Sequence, residues 1–282
     1  MDQVEAKAKQ HQSWTKVAPG WGKWDAVMAA YTQGVTDRLL EFADVKEGTR
    51  LLDVACGAGE PGLSAAKRVG ASGKVIGTDF VEEMLGFARQ KAKDKGLTNI
   101  EFRRADGEAL EVEPESMDAV TCRWGLMFMP DPMSCVKRAF AALRPGGRMA
   151  ASTWTNPQEN PFVSVPLMVL KRHLTVPDPP PGAPGMFALG NPDRLRNVFE
   201  DAGFHNVTIE QVKVTMADFD TGEEYDAFIR ELAGPVASLY AQLPPETQAV
   251  VSKELAEEAR QKSSQPGRVV LQGVTHIVSG QR

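Results

Sequence analysis

Short apolar runs alternate with amphipathic segments through the middle of the chain. Val81, Met84, Leu85 and Ala88 show the helical spacing of one amphipathic segment, which ends at Gly96. Repeated strand and helix units of this kind predict a parallel sheet with helices on both faces and right-handed crossovers. The strands predicted in this part are residues 50–55, 74–79, 100–104, 117–123 and 148–154.

After Trp154 the regular alternation ends. An apolar stretch at 162–174 leads into the proline-rich run 177–185, which can form neither a helix nor a central strand and predicts a stiff surface loop. Thr221 and Glu224 form a capping box for a later helix. We expect cap elements at about 155–190 and 216–265, beside the carboxyl ends of the strands, where open α/β sheets bind ligands. The remaining predicted elements are helices at 191–203, 221–232 and 245–261 and strands at 206–214 and 268–278.

The first 48 residues precede the predicted sheet. Trp14, Trp21 and Trp24 lie in a polar, glycine-interrupted segment that is unsuited to be core by itself. One hypothesis is a mobile lid that closes aromatic surface over a ligand, and the alternative is packing on the domain edge. We therefore divide the chain into a helical lid at 1–48 and a main domain at 49–282. A helix predicted at about 24–42 has an apolar stripe of Val27, Tyr31, Val35, Leu39 and Phe42.

The first predicted strand runs directly into a glycine-rich turn that opens a helix, and the stretch 51–62 that contains both has the sequence LLDVACGAGEPG. Gly57 and Gly59 let the backbone approach a ligand without a Cβ, and the helix start behind them presents unpaired N–H groups. Asp79 ends the next strand at a spacing that suits a carboxylate binding ribose hydroxyls, and Asp106 follows the third strand. A nucleotide-type cofactor is expected. The alternatives are a tight turn for the glycines, a helix N-cap for Asp79 and a turn aspartate for Asp106.

With these residues the chain resembles the class I S-adenosylmethionine (SAM)-dependent methyltransferases. More narrowly, it resembles the type 11, ubiquinone/menaquinone-biosynthesis-like enzymes, which methylate small molecules. The resemblance covers about 49–154 and includes the turn LRPGGR at 143–148. It implies a Rossmann-like α/β fold with a seven-stranded, mostly parallel sheet, whose last strand inserts antiparallel between strands five and six. It also implies SAM as the cofactor and methyl transfer as the activity.

The resemblance implies roles for residues around the cofactor. The backbone of the glycine turn would hold the methionine part, Asp79 the ribose and Asp106 the adenine amino group, with Arg123 and Trp124 on the far side. Asp53 would order the glycine loop or reach the methionine amino group. Relatives often have a small residue where this chain has arginine at 123. The expected cofactor contacts are Asp53, Ala55, Gly57, Gly59, Asp79, Phe80, Met84, Ala105, Asp106, Gly107, Arg123 and Trp124.

Methyl transfer from a sulfonium is an in-line displacement, so the protein mainly has to align the reactants in a dry pocket. A base is needed only if the acceptor must lose a proton. His173, in the predicted cap, is the candidate, although a structural role is the alternative for each histidine. No carboxylate or histidine cluster has metal-ligand spacing, so we expect metal-free catalysis. A hydrophobic or aromatic small-molecule acceptor is predicted by the following side chains, which could also be ordinary core: Trp14, Trp21, Trp24, Tyr31, Met127, Phe128, Trp154, Phe162, Met186 and Phe187.

The composition indicates which kinds of partner and which cellular compartment to expect. The 282 residues carry a net charge of −5, which argues against a nucleic-acid partner because a basic footprint is missing. The three cysteines have no metal-ligand spacing and indicate reduced thiols in a cytoplasmic protein. No apolar run is long enough to span a bilayer. The sequence does not indicate an oligomeric state.

Three other functions are alternatives to small-molecule methylation. An NAD(P)-dependent oxidoreductase needs the same glycines and acid, but it does not account for the aromatic N-terminal segment, for Asp53 within the strand or for the turn at 143–147. A nucleic-acid methyltransferase is disfavoured, because no Asn-Pro-Pro-aromatic or Asp-Pro-Pro-aromatic tetrapeptide follows the fourth strand. A non-catalytic SAM-binding regulator is the remaining alternative, and the intact glycines and both acids argue against it.

Overall fold

The computed structural model describes residues 3–176, 180 and 182–282. In this part of the chain, seven strands form a single sheet of order β3-β2-β1-β4-β5-β7-β6. The strands are β1 Arg50–Val54, β2 Lys74–Asp79, β3 Ile100–Arg104, β4 Met117–Arg123, β5 Leu143–Trp154, β6 His205–Phe219 and β7 Val269–Gln281. The helices are α1 Gln3–Lys23, α2 Asp25–Phe42, α3 Gly62–Val69, α4 Glu82–Asp94, α5 Pro132–Ala142, α6 Pro161–His173, α7 Pro192–Glu200, α8 Gly222–Leu232, α9 Gly234–Tyr240 and α10 Pro245–Lys262.

The sheet has the predicted topology. β7 pairs antiparallel with both β5 and β6, while β1 to β5 pair parallel. Four successive residues of β1, 51 to 54, are buried, which requires cover on both faces of the central sheet. The strand order reverses between β1 and β4, and open α/β sheets bind ligands at the carboxyl ends of strands beside such a reversal. The Rossmann-like fold is confirmed.

In the N-terminal segment, which was expected to be helical but interrupted by glycines, α1 is continuous through Pro19, Gly20 and Gly22. A Cβ built on Gly20 would lie 2.1 Å from the carbonyl oxygen of Glu231 in α8, and one on Gly22 would lie 2.7 Å from the Phe87 ring. These glycines therefore allow close packing of helices. They do not interrupt the helix.

The helix predicted at 24–42 is present as α2, but the buried face is partly different from the predicted stripe. Val35 and Leu39 are buried as expected, whereas Val27, Tyr31 and Phe42 are only half-buried. The buried face of α2 consists of Met28, Thr32, Val35, Thr36, Leu39 and Leu40. Two of its members are threonines, which a search for apolar spacing misses.

The segments predicted as caps contain α6 and α8 to α10, and α10 packs against both α6 and α8. The capping box at Thr221 and Glu224 is present, and the short helix α9 is an element that was not predicted from the sequence. The predicted proline-rich loop at 177–185 lies partly outside the described residues. None of the described helices combines the length and hydropathy that a membrane span requires.

Candidate cofactor and acceptor site

A cavity of about 1420 Å³ lies at the carboxyl ends of β1, β2 and β4, between α1 and the cap helices. Sites for one small molecule are typically about 300–1,000 Å³. This cavity is therefore large enough for two molecules side by side. The residues at the strand ends include several carboxylates, whereas the cap contributes mainly apolar side chains.

The glycine-rich turn forms one wall. Ala55 and Gly57 line the cavity with positive φ angles of 55° and 52°. A Cβ built on Gly57 would meet no atom within 4 Å, so this backbone faces open space. A non-glycine residue in the left-handed region stores strain, and such strain clusters at functional sites. Gly59, at φ 110°, does not line the cavity, because it packs against Leu63 and Ala88.

Asp53 is fully buried and does not line the cavity. Its Oδ2 accepts a hydrogen bond from the Gly62 backbone N–H at 2.8 Å, and its Oδ1 accepts one from the Thr121 hydroxyl at 2.9 Å. Burial raises the pKa of Asp53 to about 7. Of the two roles considered for this residue, the contacts support the ordering of the glycine loop. Its inclusion among the direct cofactor contacts is not supported.

Asp79 ends β2 and lines the cavity with 7% of its surface exposed. Its two carboxylate oxygens accept hydrogen bonds from the backbone N–H groups of Gly57 and Val81, each at 2.9 Å. The carboxylate thus joins the glycine turn to the start of α4. Burial raises its pKa, while these hydrogen bonds oppose the shift. Each oxygen keeps a lone pair for a further donor, such as a ribose hydroxyl.

Asp106 follows β3 and lies under the N-terminal helix. Its Oδ1 accepts from the Glu108 backbone N–H at 2.9 Å, as a turn aspartate does. Its Oδ2 lies 2.6 Å from the Lys7 ammonium of α1, which also pairs with Glu108. The turn role and a ligand-facing position therefore coexist, because Asp106 lines the cavity as well.

Trp124 and Arg123 form the wall at the end of β4. Trp124 has a left-handed backbone, φ 55°, and its indole N–H donates to the Thr275 hydroxyl at 2.9 Å. Its ring stacks on Trp154, with centroids 4.5 Å apart and an interplanar angle of 11°. The Arg123 guanidinium lies over the Trp124 ring at 5.3 Å.

The remaining walls are mainly apolar and aromatic. Trp14 of α1 contacts Phe128 edge to face at 5.1 Å, which brings the N-terminal helix against the predicted acceptor residues. Helices α8 and α9 also contribute to the lining, which was not predicted, because the spacing of apolar residues does not show which face of a helix meets the cavity. The predicted residues in the lining are Trp14, Trp21, Phe80, Met84, Ala105, Gly107, Met127, Phe128, Trp154, Phe162, Met186 and Phe187, and the missed ones include Met216, Phe228, Ile229, Leu232, Val236 and Leu239.

Besides Asp53 and Gly59, three predicted site residues lie outside the cavity. The Trp24 indole N–H donates to Glu231 at 2.6 Å, and the Tyr31 hydroxyl donates to the Asp218 carbonyl at 3.0 Å. The His173 Nε2 lies 3.1 Å from a Glu254 carboxylate oxygen in α10. His173 is therefore part of the contact between α6 and α10, and its assignment as a catalytic base is not supported. Among the described residues that line the cavity, none is a histidine.

Comparison with known proteins assigns the chain to a protein family. The model of the ubiE/COQ5 methyltransferase family matches residues 3–172. The chain belongs to the ubiE/COQ5 methyltransferase family. The resemblance seen in the sequence is thereby confirmed, and the matched region includes α1, the glycine turn and the ends of β1 to β5.

Two relatives of known name match this chain over part of their own length. The demethylmenaquinone methyltransferase of Lactococcus lactis is 41% identical over 110 residues, which are 39% of this chain and 44% of the relative. That of Bacillus subtilis is 33% identical over 135 residues, 48% of this chain and 58% of the relative. The match thus spans about half the length of these relatives.

Solved structures share the fold over most of the chain. The YcgJ protein of Bacillus subtilis has a TM-score of 0.58 at 19% identity, covering 89% of this chain and 98% of YcgJ. The cyclase SpnF has a TM-score of 0.53 at 20% identity, covering 88% of this chain and 80% of SpnF. At such identities the likeness shows the fold alone, and the function has to be argued from the site.

Proposed function

We propose that this protein transfers a methyl group from SAM to a hydrophobic or aromatic small-molecule acceptor by in-line displacement, without a metal ion. One observation carries the proposal. A single cavity joins the glycine turn and the carboxylates Asp79 and Asp106 to an aromatic chamber under the cap. A cofactor and an acceptor held in these two parts would meet inside the protein.

The residues at the strand ends fit the cofactor. The open space beside the Gly57 backbone allows the methionine part of SAM to lie close to it. Asp79 has lone pairs that can accept hydrogen bonds from the two ribose hydroxyls. Asp106, at the next strand end, can accept from an exocyclic amine. When bound, SAM supplies a methyl group on a positively charged sulfur. The protein's own part is to hold, orient and desolvate the reactants, which can contribute a large share of the rate.

The cap supports an apolar acceptor. Phe162, Phe228, Leu232 and Val236 are buried and line the chamber together with the half-buried Phe187. The relatives are named for demethylmenaquinone, but much of this chamber comes from residues beyond 172, outside the family match. We therefore propose the acceptor class from the lining and do not carry over the relatives' substrate.

Two alternative functions are NAD(P)-dependent hydride transfer and SAM binding without catalysis. Family membership and the chamber next to the strand ends favour methyl transfer over NAD(P)-dependent hydride transfer. A non-catalytic SAM-binding regulator would bind the cofactor without turnover. No three His, Cys, Asp or Glu side chains among the described residues lie together as a metal site needs, so the proposed reaction relies on alignment.

The experiment is a parallel calorimetric titration of the purified chain with SAM, S-adenosylhomocysteine and NADH. We expect binding of the first two and none of NADH. Asp79→Ala should weaken S-adenosylhomocysteine by roughly 1.5–3 kcal/mol, the value of a hydrogen bond to a charged group. The matched control, Asp201→Ala, removes an exposed carboxylate from the end of α7 and should bind normally.

Turnover is then tested with SAM and a panel of phenols, quinols and other apolar acceptors. Formation of S-adenosylhomocysteine together with a methylated product supports the proposal. Tight SAM binding without product across the panel would favour the regulator, and binding of NADH alone would favour the oxidoreductase.

A further inference from the structure

Arg123 is a half-buried cation at the end of β4, and no acidic side chain among the described residues is in direct contact with it. It lines the cavity, and its Nη1 donates to the hydroxyls of Thr32 at 2.9 Å and Thr36 at 2.7 Å. Within the described part of the chain, no carboxylate pairs with its guanidinium, and its hydrogen bonds to protein all come from Nη1. Burial lowers the pKa of Arg123, and the carboxylates that oppose this shift act from a distance.

Such an arrangement is costly unless a ligand completes it. A charge that is largely removed from water is unfavourable without a partner, and an arginine does not lose its proton at physiological pH. Thr32 and Thr36 are each 1% exposed, so the side chains that hold Nη1 are themselves fixed on the buried face of α2. The guanidinium is held in place by these hydroxyls, with one edge left for an acceptor in the cavity.

We propose, building on the function proposed above, that Arg123 binds an anionic oxygen of a molecule in the cavity. The source is either an acidic phenolic, enolic or carboxyl oxygen of the acceptor, or the carboxylate of the cofactor. A guanidinium suits both, because its planar donors match such oxygens with charge-assisted hydrogen bonds.

The residues around Arg123 indicate why an acceptor that is already ionised would suit this site. Arg123 lies beside Trp124, which stacks on Trp154 of the aromatic chamber. The lining carboxylates are Asp25, Glu60, Asp79, Asp106 and Glu108, which belong to α2, the glycine turn and the strand ends. The described lining of the cap contains neither a carboxylate nor a histidine that could remove a proton. An acceptor that is anionic beside Arg123 needs no such base.

The test compares wild type with Arg123→Met, Arg123→Lys and Arg138→Met. Arg138 is an exposed arginine on α5 outside the cavity, so its variant controls for loss of one positive charge. The first arm measures S-adenosylhomocysteine affinity by calorimetry. In the second arm, protein saturated with S-adenosylhomocysteine is titrated with 2,4-dinitrophenol, which is anionic at neutral pH, and with its neutral methyl ether, 2,4-dinitroanisole. Thermal melting shows that each variant is folded, and Arg123→Lys keeps the charge if Arg123→Met does not fold.

A loss of about tenfold or more in S-adenosylhomocysteine affinity in the Arg123 variants, but not in Arg138→Met, supports the inference with the cofactor carboxylate as the source. Unchanged affinity, together with a wild-type preference for the phenolate that Arg123→Met loses, supports it with the acceptor as the source. Variants that match wild type in both arms would overturn it. Failure of wild type to bind S-adenosylhomocysteine would instead contradict the proposed function.

Discussion

The Lys7 ammonium lies 2.6 Å from the Asp106 Oδ2, which ties the N-terminal helix to the carboxylate at the end of the third strand. Lys7 also lies 2.6 Å from Glu108. The two carboxylates are separated from Lys7 by about a hundred positions in the chain, so this ion pair is a tertiary contact that holds α1 across the cavity. The proposed lid thus has an identifiable point of attachment beside the expected adenine site.

Replacing Lys7 by Met should loosen this attachment. An ion pair that is partly exposed contributes at most about 1 kcal/mol, so we expect S-adenosylhomocysteine to dissociate roughly two to five times faster. Stopped-flow tryptophan fluorescence measures this rate, because Trp14 lies on the same helix and lines the cavity. Salt should accelerate dissociation from wild type more than from Lys7→Met.

Lys16→Met is the matched control, since Lys16 is an exposed lysine on the same helix and does not line the cavity. Its dissociation rate should equal that of wild type. Equal rates in all three proteins would mean that α1 does not gate the cofactor through Lys7, and the lid would lose its main structural support.

Gly57→Ala and Gly96→Ala should separate backbone strain from ligand binding. Both glycines have left-handed backbones, φ 52° and 63°, and a Cβ on either would meet no atom within 4 Å. Each substitution should lower the free energy of unfolding by about 1 kcal/mol. Only Gly57 lines the cavity, so only Gly57→Ala should weaken S-adenosylhomocysteine, by about tenfold or more.

Chemical denaturation and calorimetry on the same samples check both statements. If Gly96→Ala reduced the affinity as much as Gly57→Ala, the loss would come from reduced stability and the glycine turn would not be a direct contact.

Local signals in the sequence were sufficient to predict the sheet and the part of the site at the strand ends. The glycine turn, Asp79 and Asp106 follow from where apolar runs stop, and the side chain of Asp131 caps α5 as its position before Pro132 implies. These features depend on neighbours in the chain. Tertiary contacts decide the others. Glycine was expected to interrupt the N-terminal segment, yet Gly20 lies inside α1, at a point where α8 passes too close for a side chain.

The acceptor residues illustrate the same distinction. Trp24 and Trp21 lie three positions apart, but only Trp21 lines the cavity, because the Trp24 indole is turned to Glu231. Aromatic content indicated an apolar chamber, whereas the direction of each ring depends on helices more than 200 positions away. The strand β6 extends to Phe219, beyond the predicted end at 214, because β7 continues to pair with it.

His173→Ala should leave catalysis unchanged. His173 is tied to Glu254 between α6 and α10 and does not line the cavity, so we expect kcat within about twofold of wild type and a loss of stability of at most about 1 kcal/mol. Steady-state kinetics with any acceptor found in the panel checks the first value, and thermal melting checks the second. A collapse of kcat in a variant that melts normally would restore His173 as a catalytic candidate.

Asp53→Asn should change how stability depends on pH. Burial raises the pKa of Asp53 from 3.8 to about 7. Between these values the unfolded chain gives up the proton while the folded protein keeps it, so each rise in pH lowers the free energy of unfolding of wild type. Below pH 3.8 and above about pH 7 this group adds no slope. Asparagine does not titrate, and its amide oxygen can still accept the Gly62 N–H.

The unfolding free energy of Asp53→Asn, relative to wild type, should therefore increase between about pH 4 and pH 7 by roughly 1 kcal/mol per pH unit and then level off. Urea denaturation of both proteins across this range measures the difference, and Asp201→Asn, an exposed acid, supplies the control. A difference that does not vary with pH would show that the hydrogen bonds from Thr121 and Gly62 outweigh burial and hold the carboxylate ionised. The glycine turn would then be ordered by a buried anion, and Asp53→Asn should weaken cofactor binding as well as stability.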